Sequence, residues 1–247
     1  MSNEINSENR SLREELRKLR AVCIFTGGAA HDYNNALTAV MGNISLAKLE
    51  VEGNQELMDL LKDAEKAAGR IKSMTERVAL FARGIKINKK SGSAGEVVRN
   101  ALSSAAKDYP GTLKIDIADG LPEVELDPDL INEALICIIE NALEAAPASD
   151  GAIEVAVSRE DVRNSSKIYG SGIADGDYIK ISVTDNGKGF NPDDSALLFD
   201  PYFSTKKGRE GIGLALAYST LKRHRGFITA ALPQGGGSLF SVFIPLF

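Results

Sequence analysis

From Leu12 onward, apolar or small residues recur at Leu16, Leu19, Cys23, Thr26, Ala30, Tyr33, Leu37, Val40, Ile44, Ala47 and Val51. The steps alternate four and three without a slip, which is a heptad seam and predicts one long helix. After a break at "EGNQE" a second series runs Leu57, Leu60, Ala64, Ala67, Ile71, Met74, Val78 and Phe81, and Gly84 supplies a stop. Two such helices joined by a few residues make an antiparallel hairpin. A lone hairpin leaves a long apolar stripe in water, so pairing with a second copy into a four-helix bundle is the expected solution, and the chain is expected to be a homodimer.

Past residue 92 the pattern changes. "GEVVRNALSSAAKDY" reads as helix and "TLKIDIA" alternates like a strand. "DPDLINEALICIIENALEAA" opens with Asp127 and Pro128 as N-cap and first-turn residues and is apolar on most sides, so a buried helix is expected. "AIEVAVS" and "DYIKISVTD" read as strands separated by a polar Gly/Ser loop, and "GIGLALAYSTLKRHRG" as a glycine-opened helix. "FITAAL" and "SLFSVFIPLF" should close the chain as a hairpin. Strands and helices without strict βαβ alternation suggest an α/β sandwich with helices on one sheet face. The expected division is a helical hairpin over 1–88 and an α/β domain over 89–247.

A chain of 247 residues has room for one or two domains with real cores. The net charge of −5 argues against nucleic acid as the main partner. No run of about 18 uncharged apolar residues occurs, so no membrane insertion is expected. The start, "MSNEINSENRSLREELRKLR", is too charged for a signal peptide, and a cytoplasmic location follows as the expectation. Cys23 and Cys137 lie in apolar stripes without metal-ligand spacing and read as reduced core thiols.

Within "GGAAHDYNNALTAVMGN", seam positions at Ala30 and Tyr33 put His31 and Asp32 just outside the core, with Asn35 one turn on. A metal site is disfavoured, because the other histidine, His224, sits in the basic, surface-like segment "KRHRG". An exposed histidine without function and a nucleophile are the two readings that remain. If Asp32 accepts the proton of one ring nitrogen, the other nitrogen keeps its lone pair for attack. Attack on a phosphoryl group then needs mainly an in-line nucleoside triphosphate, charge compensation and exclusion of water.

Three clusters in the second half bear on that requirement. "IIENALEAA" places Asn141 and Glu144 on the buried helix; Asn141 is either a hard oxygen ligand for Mg²⁺ or an ordinary satisfied polar residue. "VTDNGKGF" ends a strand at Asp185, and Gly187 and Gly189 let the backbone approach a ligand; a plain Asx turn is the alternative. "LFDPYFSTKKGREGIGLALA" combines Phe199, Lys206 and Lys207 with a loop through Gly208, Gly211 and Gly213 that runs into a helix N-terminus at Leu214. Such a terminus suits an anion, and the glycines suit a mobile lid. No Walker-type phosphate loop occurs.

The order "AHDYNN", "ENALEAA", "DNGKG", "FDPYFSTKKG", "GIGLALA" resembles the H, N, G1, F and G2 boxes of the two-component sensor histidine kinases, from about residue 12 to 247. The resemblance implies a dimerisation and histidine-phosphotransfer hairpin followed by a Bergerat-type ATP-binding α/β sandwich. It implies His31 as phosphoacceptor, Asp32 as general base, and Asn35 at the polar position linked to phosphatase activity. It also implies Asn141 on Mg²⁺ and Asp185 on the adenine amine. Gly187, Gly189, Gly211 and Gly213 would shape the pocket with Glu144, Phe199 and Leu214, and Lys206 or Lys207 would meet phosphate. ATP and Mg²⁺ are the implied cofactors, and a response-regulator receiver domain the implied partner. No receiver segment follows the last strand pair, so that aspartate is expected on a separate protein, and an upstream sensor or adaptor is expected on the N-terminal coiled coil.

The chain departs from the family pattern in two places. The basic residue that usually follows "NA" is replaced by Leu143 and Glu144. Cys137 stands four residues before Asn141, where the related chaperone and gyrase ATPases carry a catalytic glutamate. A thiol there favours transfer to a side chain over hydrolysis. The competing readings are a phosphotransfer protein with an inactive ATP-binding domain and an ATPase of the chaperone or gyrase type.

Overall fold

The computed structural model describes residues 26–246, apart from 27, 31, 52, 83–86, 108, 165–172, 207, 208 and 210. The chain parts into two compact units, one ending at Ile85 and the other beginning at Lys86.

In the first unit the described residues between 26 and 50 form helix α1, and Gln55–Ala82 form α2. Gly53 takes φ +83° in the turn, and the Asn54 side chain accepts from the Leu57 N–H at 3.1 Å, capping α2. Lys48 on α1 and Glu65 on α2 pair at 2.7 Å across the hairpin. Such a partly exposed pair contributes at most about 1 kcal/mol and mainly fixes which turns lie side by side.

The covered faces follow the expected seam in part: Ala30 is buried and Leu37, Ile44, Ala47, Ala67 and Val78 are half-buried, whereas other seam positions face out. On α1, Tyr33 is 64% and Val40 47% exposed, while Asn34 and Met41 are half-buried. On α2, Met58, Leu61, Glu65, Ala68, Lys72 and Thr75 beside that seam are covered as well; Leu57, Leu60, Ile71 and Met74 face out. A hairpin covers only one edge of each stripe, so the periodicity located a stripe without saying which edge meets the neighbouring helix.

The second unit is built on a five-stranded sheet in the order β2-β4-β5-β7-β6. These strands are β2 (Thr112–Ile117), β4 (Ala152–Val162), β5 (Gly176–Asp185), β6 (Phe227–Ala231) and β7 (Ser238–Pro245). β2 runs parallel to β4, and the other neighbours are antiparallel. Helices α3 (Ala94–Ala105), α4 (Pro128–Ala145) and α5 (Gly213–Arg223) complete the sandwich. Alternation sends Ile153, Val155, Val157, Ile179, Ile181 and Val183 into one core with Leu135, Ile138 and Ile139 of α4. Phe243, Tyr178, Phe227 and Val162 form a small cluster of their own, with Phe227 and Phe243 stacked at 4.2 Å. A two-stranded ribbon, β1 (Lys90–Gly92) with β3 (Val124–Leu126), went unseen in the sequence because three residues are too short for a period to show.

Asp127 caps α4 as expected, its Oδ1 accepting from the Leu130 N–H at 3.2 Å. His224 departs from the surface placement expected of it: it is 1% exposed. Its Nε2 accepts from the Asp127 N–H at 3.0 Å, and its Nδ1 lies 2.8 Å from the Thr220 carbonyl. A backbone N–H can only donate and a carbonyl only accept, so the ring is neutral with its proton on Nδ1. The imidazole thereby joins the start of α4 to the end of α5, where helices leave backbone groups unpaired.

Candidate functional site

β5 delivers Asp185 to the edge of the core, where it is 2% exposed. Its Oδ1 accepts from the Gly187 N–H at 2.8 Å, and Ser238 at the start of β7 donates through both backbone and hydroxyl. Burial pushes its carboxyl above the usual range; these hydrogen bonds and the charge of Lys206 pull the other way. The loop that follows is tied at Asn186, whose Oδ1 accepts from the Ala152 N–H and whose Nδ2 donates to the Asp150 carbonyl, both at 2.8 Å. Gly187 sits against the Ala145 carbonyl, so a Cβ there would collide with the end of α4. Gly189 lies against the Gly237 backbone.

Asn141 and Glu144 occupy the last turn of α4. Lys206 reaches them from the loop before α5: its ammonium donates to Asn141 Oδ1 at 3.0 Å, to the Asn141 carbonyl at 3.3 Å and to Glu144 Oε2 at 3.3 Å. Arg209 pairs with the other carboxylate oxygen of Glu144. Burial lowers the affinity of Lys206 for its proton, Asp185 raises it, and Lys188 adds to the lowering. Asn141, Glu144, Lys206 and Asp185 therefore act on one another at one end of the sandwich.

Further along that loop Phe199 packs on the core and stacks on Tyr218 of α5, ring centroids 5.8 Å apart. Gly211 takes φ +67° against the Phe203 backbone, a conformation and closeness that only glycine meets at low cost. Gly213 opens α5 against Cys137, whose Cβ is 3.4 Å from where a side chain on Gly213 would begin. Cys137 is a buried free thiol, as expected, and Leu214 packs on the core. In the first unit Asp32 and Asn35 stand exposed on α1. His31, Lys207, Gly208 and Cys23 lie outside the described residues.

The Asn141 side-chain oxygen is a neutral, hard acceptor already turned toward a cation, the Lys206 ammonium, which fits a Mg²⁺ ligand. Among the described residues no three His, Cys, Asp or Glu side chains converge on a metal position.

Residues 126–247 match the family described as histidine kinase-, DNA gyrase B-, and HSP90-like ATPase. The chain is 27% identical over 241 residues to the sensor histidine kinase ZraS of Escherichia coli (strain K12), covering 95% of this chain and 48% of that protein. It is also 27% identical over 246 residues to sporulation kinase E of Bacillus subtilis (strain 168), covering 97% of this chain and 31% of that one. The chain is thus similar over nearly its whole length to sensor histidine kinases, and in residues 126–247 to the ATPase family that also includes gyrase B and HSP90. In fold it is similar to full-length ShkA, solved in complex with AMPPNP: TM-score 0.69, 18% identity, 89% of this chain and 45% of that one. The chain spans about half the length, or less, of the curated relatives it matches.

Sequence reasoning missed Asn186, Ser238 and Arg209 at this site. Asn186 carries a faint signal, an Asn-Gly pair after a strand, whereas the donors from Ser238 exist only because β7 lies beside β5. No helix among the described residues is long and apolar enough to cross a membrane.

Proposed function

We propose that this chain is the core of an ATP-dependent protein histidine kinase that phosphorylates His31 and passes the phosphoryl group to an aspartate of a receiver domain. The observation that carries this reading is the reach of the similarity to sensor kinases. It runs through the hairpin that holds His31 as well as the ATP-binding unit, over 95% of the chain, which a gyrase- or chaperone-type ATPase would not share. The built cluster of Asp185, Asn141 and Lys206 favours an active nucleotide site over a degenerate one.

Asp185 accepts from the exocyclic amine of adenine, and Gly187, Gly189 and Leu214 leave room for the base. Lys206 and Lys207 meet phosphate, and the segment from Phe199 through Gly211 and Gly213 closes over it as a lid. Asn141 would hold Mg²⁺, which supplies charge neutralisation on the phosphates. A ring nitrogen of His31 bonds to the γ-phosphorus as the bridging bond to ADP breaks, and Asp32 takes up the imidazole proton. Asn35 supports removal of the phosphoryl group from the partner. The apolar residues left outside the hairpin, Leu57, Leu60, Ile71 and Met74, fit a homodimeric four-helix bundle in the cytoplasm. An upstream sensor or adaptor acts on the N-terminal coiled coil.

Incubation with γ-labelled ATP and Mg²⁺, for wild type and His31→Ala, tests the reading. The expected label is acid-labile, alkali-stable and absent from the variant, and Asp32→Asn slows labelling by roughly 10²-fold. Steady phosphate release without protein label would assign the chain to the ATPases instead.

A further inference from the structure

α4 ends with its dipole negative, and no basic residue stands in its last turn. Glu144 adds a full negative charge there. The arrangement is a cation site made from one helical turn: Asn141 Oδ1, the Asn141 carbonyl and Glu144 Oε2, all within 3.3 Å of one ammonium, which spends its three donors on them. The cation comes from a different element, and Arg209, three residues further on, is clipped to the second oxygen of the same carboxylate. Glu144 thus fastens the segment that the nucleotide reading treats as a lid.

We propose that Lys206 is the resident cation of the Asn141 site, held there by Glu144, and that nucleotide enters by exchange. This rests on reading the second unit as an ATP site. A divalent cation and an ammonium cannot share one amide oxygen, because their charges repel at that distance. With a metal on Asn141, Lys206 would turn to phosphate oxygens and leave Glu144, which would then no longer hold the lid. Glu144 is accordingly a positioning residue for Lys206 and works against nucleotide binding, although it lies in the same turn as Asn141.

Two calorimetric and spectroscopic arms on the full chain test the exchange. In the first, Mg-ADP is titrated into wild type and Glu144→Gln, with melting curves to confirm the fold. Removing the latch is expected to tighten binding by about 3- to 10-fold, the worth of two partly exposed ion pairs. Equal or weaker binding by Glu144→Gln overturns the proposal, since a residue that contacts nucleotide or metal would lose affinity. In the second, Mn²⁺ alone is titrated without nucleotide and followed by electron paramagnetic resonance. Lys206→Met is expected to gain a saturable site that wild type lacks and that disappears in Lys206→Met with Asn141→Ala. Absence of that gain also overturns the proposal. A wild type that binds no ADP would defeat the nucleotide reading, while the Mn²⁺ arm would still decide the exchange.

Discussion

Asp185 meets two opposed demands. Its burial penalises the charged form, while Gly187 and Ser238 donate to it, so its carboxylate is held by geometry rather than by solvent. An amide of the same shape removes the buried charge but cannot accept from an amine with equal strength. Asp185→Asn is therefore expected to keep its unfolding free energy within about 1 kcal/mol while nucleotide affinity falls roughly 10- to 100-fold. Urea unfolding and ADP titration on the same preparation check both halves. "DNGKG" made Asp185 legible as a candidate and allowed the Asx turn in which Gly187 donates to it, but Ser238 arrives from a strand 53 positions on in the register Asp185↔Ser238.

Between elements, the neutral His224 ring is the joint linking α4 to α5. Burial, the largest influence, lowers its pKa below the ordinary 6.5, with Lys89 acting the same way and Thr220 and Asp127 opposing. Between the lowered value and 6.5 the unfolded chain binds a proton that the folded chain refuses. This contribution to stability is complete above pH 6.5 and is lost as pH falls through the interval below it. Protonation would also turn Nε2 into a donor facing the Asp127 N–H. His224→Gln is expected to flatten the fall in stability toward acid pH and to cost about 1–3 kcal/mol near neutrality, from imperfectly paired backbone groups. Urea midpoints of wild type and variant, measured above and below pH 6.5, check the slope. The sequence put this histidine among Lys222, Arg223 and Arg225, and local charge misled: those neighbours point away while the ring turns inward.

For the molecule as a whole, the first unit leaves Leu57, Leu60, Ile71 and Met74 in water on one side of α2 and Tyr33 and Val40 on α1. An apolar stripe of that length on a hairpin with so small a core calls for a second covering. Leu60→Lys with Ile71→Lys is expected to weaken self-association by more than about 100-fold. Each lost side chain is worth about 1.5–3 kcal/mol, and two-fold symmetry counts it twice. Sedimentation equilibrium distinguishes the outcomes: a concentration-dependent mass for wild type and a monomer for the variant, or no difference, which would remove the bundle.

Periodicity alone determined that two long helices precede an α/β sandwich, because side-chain spacing is a property of the chain before it folds. The capping of α4 by Asp127 and Pro128 and the chemistry-bearing clusters at Asn141, Asp185 and Lys206 were equally local, and equally readable. Only the tertiary structure decided which edge of each heptad stripe is covered, which strands run parallel, and that His224 is buried. It alone brought Lys206 and Arg209 to Glu144, across more than 60 residues of chain. Those outcomes depend on which surfaces meet, and a surface is shared by residues that the sequence keeps far apart.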